Sequence, residues 1–226
     1  MVMNNIFDDE GFLKVYDDVL MLSNHYRRIL SIHQEILRKC SRVIDLGCGT
    51  GNLILKYLEE GKEVTGIDIS GKSLDFLKKK VKNNNKLNLI QGDICNLDMI
   101  ESNSFDGASS MIVAHLVDDF EGHIKEAYRI LKPGGIFILT ARAYNGKQEK
   151  LVDVVKKSLL KYGILEAKFE SYMILTKKLL LTANGRSKSL KPYSEVESIL
   201  RRIGFHNLEY LENNTSNVMY TVFSKK

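Results

Sequence analysis

Three aspartates in the first hundred residues stand where carboxylates could hold a ligand. Asp45 follows the apolar pair Val43-Ile44, Asp68 ends Val64-Thr65-Gly66-Ile67, and Asp93 follows Leu87-Asn88-Leu89-Ile90-Gln91-Gly92. Between the first two lies Gly47-Cys48-Gly49-Thr50-Gly51, with glycine at every second position. Carboxylates accept from hydroxyls and amines. Glycine takes positive φ and lets backbone approach a ligand closely, and a helix following such a turn offers unpaired N–H groups to polar or anionic atoms. The combination describes a cleft for a nucleotide-like cofactor. Asp68 lies roughly 20 residues past the glycines, where a parallel α/β unit places an acid on a ribose hydroxyl.

Spacing narrows the cofactor. The dinucleotide fingerprint is G-x-G-x-x-G, whereas this loop reads G-x-G-x-G, and Asn52-Leu53 stand where a phosphate-binding loop needs Lys-Ser or Lys-Thr. A turn serving only strand-to-helix packing has the same glycine chemistry, and Asp68 could serve as a helix N-cap. Ser70 is the better cap because it directly precedes the helical pattern Lys72–Lys82, which leaves Asp68 free at its strand end.

The positioning elements follow from periodicity. Strands are expected at Glu63–Ser70, Leu87–Gln91 and Phe105–Met111. A helix from about Phe120 to Leu131 is expected to stop at Lys132-Pro133-Gly134-Gly135, with a strand at Ile136–Thr140. Asp93 thereby sits at the carboxyl edge of a parallel strand, where open α/β sheets bind ligands. Two helices precede the first strand, one with Phe12, Leu13, Tyr16, Val19 and Leu20 on its apolar face, the other with Tyr26, Ile29, Leu30, His33 and Leu37. Tyr193–Ile203 reads as a helix ended by Gly204, and His206–Glu212 with Val218–Ser224 as a final antiparallel pair.

In this order and at these intervals, VIDLGCGTGNL, VTGIDIS, the GDI turn, the FDG strand start and LKPGGIFIL resemble the class I S-adenosylmethionine-dependent methyltransferase family, of the small-molecule type, from Val43 to Thr140. The resemblance implies a Rossmann-like α/β fold. Its seven-stranded sheet is mostly parallel with an antiparallel last strand, has helices on both faces, and carries amino-terminal cap helices. The implied cofactor is S-adenosyl-L-methionine, and the product S-adenosyl-L-homocysteine. Gly47, Gly49 and Gly51 would shape the loop around the methionine part of the cofactor, with Asp45 near its amino group. Asp68 would accept the ribose hydroxyls and Ile69 would pack on the adenine. Asp93 would hold the exocyclic amine, with Ile94 beside the ring. Ser110 or Met111 would border the methyl group. Tyr16 resembles a tyrosine near the cofactor carboxylate and sulfonium, although a half-buried packing tyrosine fits that position equally well.

The chemistry asks little of the protein, because a sulfonium is already an activated methyl donor: alignment and exclusion of water suffice. A general base is needed only for a protonated, weakly acidic acceptor. His115, just after the fourth strand, is the catalytic candidate, with a structural hydrogen bond as the alternative for a histidine there. His25, His33, His123 and His206 have weaker claims.

Composition agrees. The chain has 226 residues, 44% hydrophobic and 27% charged, as expected of a soluble globular domain with a substantial core. Acidic Asp8, Asp9 and Glu10 interrupt any secretory pattern, and Lys177-Lys178 break the best candidate for a membrane span. The three cysteines, Cys40, Cys48 and Cys95, lack C-x-x-C spacing, which fits a cytoplasmic location and no metal site. Net charge is +5, but Asn145–Lys191 holds eleven basic and four acidic residues, leaving the remainder at −2. That basicity fits a solvated helix face, since aromatic residues for stacking on bases are sparse there. With prolines only at 133 and 192, there is no Asn-Pro-Pro-Tyr-like turn, which disfavours base amino-methylation. One domain is expected: a helical cap (1–40), a cofactor core (41–144), a lid (145–191) and a closing helix and hairpin (192–226). The expected function is methyl transfer to an oxygen, nitrogen or carbon of a small molecule, without a membrane partner and with the oligomeric state open. The alternatives are an RNA- or protein-directed enzyme using the basic segment, and a catalytically silent cofactor-binding subunit.

Overall fold

Two capped amphipathic helices open the chain. Asp9 accepts from Phe12 N to cap α1 (Glu10–Leu20), and Ser23 accepts from Tyr26 N to cap α2 (Asn24–Ile36). A computed structural model describes residues 6–142, positions 153, 156, 157, 159–161, 163 and 170–173, and residues 190–212 and 219–226. Most of the segment read as a lid, 145–191, lies outside the described residues.

The strands are β1 (Arg42–Leu46), β2 (Glu63–Asp68), β3 (Leu87–Gln91), β4 (Phe105–Met111), β5 (Leu131–Arg142), β6 (His206–Glu212) and β7 (Met219–Lys225). Between them lie α3 (Asn52–Glu59), α4 (Gly71–Val81), α5 (Phe120–Ile130) and α6 (Tyr193–Ile203). The sheet order is β3-β2-β1-β4-β5-β7-β6, with β7 antiparallel to both neighbours and the first five strands parallel. This is the expected Rossmann-like sheet. Its order reverses between β1 and β4, where open α/β sheets form their ligand crevice.

Both faces are covered, which is why the central strands read as nearly continuous apolar runs. On one face Ile44, Leu46, Ile67, Phe137 and Leu139 pack with Ile124 of α5 and Leu200 of α6. On the other, Val43 and Ile138 pack with Phe12, Leu37, Leu53, Tyr57 and Leu77. Because side chains alternate along a strand, Asp45, Ser109, Thr140 and Thr221 fall on this second face. Burying full side chains of this kind contributes about 1.5–3 kcal/mol each.

One boundary departs from expectation. Helix α5 gives way directly to β5 at Leu131, whose φ of −74° and ψ of 141° are already extended. The helix stops where expected, but the Lys132-Pro133-Gly134-Gly135 stretch already belongs to β5, ahead of the start expected at Ile136, because Gly134 N donates to Lys226 O at 2.9 Å and Lys226 N to Gly135 O at 3.0 Å. Gly134 takes a φ of +77°, and the β4–β5 register shifts between Phe105 and Gly107.

Lys62 shows how the cap is fastened to the sheet. It is buried, and its ammonium donates to the carbonyls of Leu37, Arg38 and Cys40 at 3.0, 2.8 and 2.8 Å, closing the end of α2. Lys62→Ala strands those acceptors, so we expect a loss of about 2–3 kcal/mol and a Tm lower by roughly 5–10 °C, read by thermal unfolding. An unchanged Tm would refute this account of the joint. Among the described residues no helix is long and apolar enough to cross a membrane.

Candidate cofactor site at the carboxyl edge of the sheet

The glycine loop leaves β1 with all three glycines at positive φ: 76° at Gly47, 52° at Gly49 and 79° at Gly51. At Gly47 a Cβ would come within 2.5 Å of Val113, and at Gly51 within 2.2 Å of Leu77, so only glycine lets the loop pack this tightly. At Gly49 a Cβ would meet nothing within 4 Å, which leaves that backbone open on its outer side. Gly51 is the N-cap of α3, with no side-chain cap on its first turn.

Three carboxylates line this edge at the ends of neighbouring strands. Asp45 is only 3% exposed, and its Oδ1 is buried without a hydrogen-bond partner. Burial pushes its carboxyl up to about 7, with the Ser109 hydroxyl pulling down and the Asp68 charge pushing up. A buried carboxylate oxygen without a donor is a place for an amine or ammonium.

Asp68 is not free, as Ser70 capping alone would suggest. Ser70 does cap α4, accepting from Ser73 N at 3.1 Å, but Asp68 Oδ2 accepts from Gly49 N at 2.7 Å and Oδ1 from Ser70 N at 2.9 Å. The carboxylate holds the glycine loop to the end of β2 while remaining partly exposed. Burial raises its carboxyl, and these backbone donors oppose the rise. Beside it, Ile69 is 63% exposed, an apolar surface at a polar edge. Asp93 is exposed and accepts from Cys95 N at 2.9 Å, shaping the turn after β3. The Ile94 side chain is buried in the core on the α5 face, not laid open at the edge.

The two residues ending β4 diverge. Ser110 is fully buried and bonds to His123 Nε2 at 2.9 Å on the α5 face, so its side chain turns away from the cap. Met111 is half-buried against the cap side. Alternation along the strand separates them, and of the pair it is Met111 that borders the cap. Ile112 follows at a φ of +61°, a strained conformation for a β-branched residue, held by its N–H donating to Thr140 O at 2.8 Å. His115 is buried in the turn after β4, closed by Leu116 N donating to Val113 O at 2.7 Å. Tyr16 is half-buried, edge-to-face with Phe7 and tilted against Phe12, and near enough to Asp68 for that charge to help burial and Asp17 raise its phenol.

Two groups here are not evident from motif spacing. Asp17 of α1 accepts from the Thr50 hydroxyl, from Asn52 Nδ2 at 3.0 Å and from Lys80 Nζ at 2.5 Å. Lys80 also reaches Thr50 O at 2.8 Å and Asn52 Oδ1 at 3.0 Å, so the cap is bonded to the glycine loop itself. The adjacent acids Asp17-Asp18 are the only local hint. His33 is the second: its Nδ1 lies 2.9 Å from Ser109 Oγ and its Nε2 2.7 Å from Thr140 Oγ1. Its helical period reads as apolar, and nothing local marks its partners 76 and 107 residues away.

Residues 44–139 match the family model described as a methyltransferase domain. A Bacillus subtilis (strain 168) protein named as a methyltransferase, YqeM, is 33% identical over 137 residues, covering 57% of this chain and 53% of its own. The demethylmenaquinone methyltransferase of Staphylococcus haemolyticus (strain JCSC1435) is 37% identical over 101 residues, covering 43% of this chain and 42% of its own. The chain thus spans about half the length of these curated relatives. Among solved structures, a SAM-dependent methyltransferase from Thermotoga maritima shares the fold at TM-score 0.60 and 18% identity, over 96% of this chain and 98% of that one. A 1,6-didemethyltoxoflavin-N1-methyltransferase from Burkholderia thailandensis, solved with 1,6-didemethyltoxoflavin and S-adenosylhomocysteine, does so at 0.58 and 17%, over 90% and 79%. The sheet order, the glycine loop and the matched segment agree: residues 44–139 match a methyltransferase domain, on a fold shared with S-adenosylmethionine-dependent methyltransferases.

Proposed function

We propose that this protein binds S-adenosyl-L-methionine and transfers its methyl group to an oxygen, nitrogen or carbon of a small molecule, releasing S-adenosyl-L-homocysteine. The observation that carries the reading is the edge itself: Asp45, Asp68 and Asp93 end three neighbouring parallel strands around a positive-φ glycine loop, and Asp45 keeps an unpartnered buried oxygen. Asp45 would take the cofactor's ammonium group, Asp68 the ribose hydroxyls and Asp93 the exocyclic amine. Ile69 would cover the adenine, and Tyr16 would stand near the sulfonium.

When bound, the cofactor supplies an activated methyl group on a sulfonium. The chain's contribution is to hold and orient it, to seat the acceptor in line, and to exclude water. A small apolar cluster supports a compact acceptor: buried Ile29 of α2 and Met219 of β7 pack with Met111 and Ile112 beyond β4. The relative named for demethylmenaquinone and the neighbour solved with didemethyltoxoflavin point to ring-shaped small molecules as the first acceptors to try. His115 is our candidate base for a protonated acceptor. The free thiols of Cys40, Cys48 and Cys95 suit the reducing cytoplasm.

Calorimetric titration with S-adenosylmethionine and S-adenosylhomocysteine tests the cofactor, and an acceptor screen under saturating cofactor tests turnover. We expect micromolar binding and turnover on at least one cyclic acceptor, with His115→Gln lowering kcat at least tenfold at unchanged cofactor affinity. A folded protein that binds neither compound overturns the reading. Binding without turnover on any acceptor class would favour a silent cofactor-binding subunit.

A further inference from the structure

Beneath the glycine loop a row of polar side chains crosses the sheet on the α2 face. Asp45 of β1 is the register partner of Ser109 in β4, so the two side chains stand side by side on this face, and the Ser109 hydroxyl is close enough to draw the Asp45 carboxyl down. Ser109 Oγ lies 2.9 Å from His33 Nδ1, His33 Nε2 lies 2.7 Å from Thr140 Oγ1, and Thr140 Oγ1 lies 2.7 Å from Thr221 Oγ1. All five residues are buried. The other groups facing Asp45 are the Asp68 carboxylate of β2, the phenols of Tyr57 on α3 and Tyr26 on α2, and the Cys48 thiol of the loop.

Every member of the row except Asp45 has one proton to place, because burial pushes the His33 imidazole down to about 3 and keeps it neutral. A neutral imidazole donates from one nitrogen and accepts at the other. Two arrangements satisfy the whole row. In the first, protonated Asp45 donates to Ser109 Oγ, Ser109 donates to Nδ1, Nε2–H donates to Thr140 Oγ1, and Thr140 donates to Thr221. In the second, Asp45 is ionised and every arrow reverses: Thr221 donates to Thr140, Thr140 to Nε2, Nδ1–H to Ser109, and Ser109 to the carboxylate. The two differ by a single proton, lost from Asp45 to solvent, while His33 keeps one proton and moves it from Nε2 to Nδ1.

We propose that this row is a two-state hydrogen-bonded switch, in which His33 is a positioning residue whose tautomer follows the charge on Asp45 and readies the site for a cationic ligand group. The proposal deepens the cofactor reading and rests on Asp45 as the seat of the ammonium group. At His33 a mixed arrangement would leave two donors or two acceptors face to face in a buried site, so the bonds from Ser109 through the imidazole to Thr140 change direction together.

The test is the imidazole 15N spectrum of the intact protein, with His33 assigned by His33→Gln. Without ligand, we expect the Nε2–H tautomer near pH 6 and Nδ1–H near pH 8.5. Saturating S-adenosylhomocysteine at pH 6 should produce Nδ1–H as well, with calorimetry in buffers of different ionisation enthalpy showing up to one proton released per site. Ser109→Ala, checked for folding by the same spectra, should uncouple His33 from both pH and ligand. One unchanging tautomer in wild type across pH overturns the proposal, as does a change that survives in Ser109→Ala. If S-adenosylhomocysteine fails to bind, the cofactor reading falls, and the ligand-free pH series still decides the switch.

Discussion

Replacing Asp45 by asparagine should make the ligand-free protein more stable at pH 8 and cost it the cofactor. The carboxyl is held up to about 7 in the folded protein against an ordinary value of 3.8, chiefly by burial. A group whose folded pKa is raised supports stability fully below its unfolded value and loses that support as pH rises through the folded value. Wild type should therefore lose stability from this residue between about pH 4 and pH 7. An upward shift of about three units corresponds to roughly 4 kcal/mol at most, and relaxation around the site brings the expected gain in Asp45→Asn to about 2–3 kcal/mol at pH 8, vanishing near pH 4. The same substitution removes the proposed anion for the cofactor's ammonium group, a charge-assisted hydrogen bond of about 1.5–3 kcal/mol, so affinity should fall roughly 10- to 150-fold. Chemical denaturation across pH, with calorimetry at pH 8, measures both. A variant less stable than wild type at pH 8 would refute the electrostatic account of Asp45.

Asp68 should tolerate neither alanine nor asparagine. Both of its oxygens accept from backbone donors, Gly49 N–H and Ser70 N–H. Asparagine has one acceptor oxygen for two donors, so its amide nitrogen would face an N–H group and push the glycine loop off β2. Alanine frees the loop altogether. On the proposed role, each variant also loses acceptors for the ribose hydroxyls. Binding of S-adenosylhomocysteine should weaken about 100-fold or more in Asp68→Ala, and nearly as much in Asp68→Asn. Calorimetry on both, with thermal unfolding to confirm the fold, separates the cases. If Asp68→Asn binds like wild type, the two-donor argument is wrong.

These variants also mark how far local pattern reaches. The glycine loop, the three strand-end aspartates and the Ser70 cap are legible because each depends on neighbours in sequence: a positive φ needs glycine at its own position, and an N-cap needs its third neighbour's N–H. The strand-end geometry of Asp68 is equally legible. Its grip on Gly49 is not, because the two residues meet only when β2 pairs with β1. The start of β5 misleads for a related reason: α5 ends where the stop chemistry of Pro133-Gly134-Gly135 predicts, yet bonds to Lys226 draw that stretch into the strand expected only from Ile136. Likewise the opposed directions of Ser110 and Met111, adjacent in a strand, emerge only once α5 occupies one face and the cap the other.

By itself, then, the sequence determined the parallel α/β class, the order of elements through β5 and the likeness of residues 44–139 to a methyltransferase domain, because hydrophobic period and turn chemistry are local and the motifs recur in order. Only the tertiary structure decided what those elements join. It carried His33 on an apolar helix face to Ser109 and Thr140, Asp17 to the glycine loop, and Lys62 to the end of α2. Each of those contacts spans more than twenty residues, and a buried polar group takes its partner from whatever the fold brings within hydrogen-bond reach.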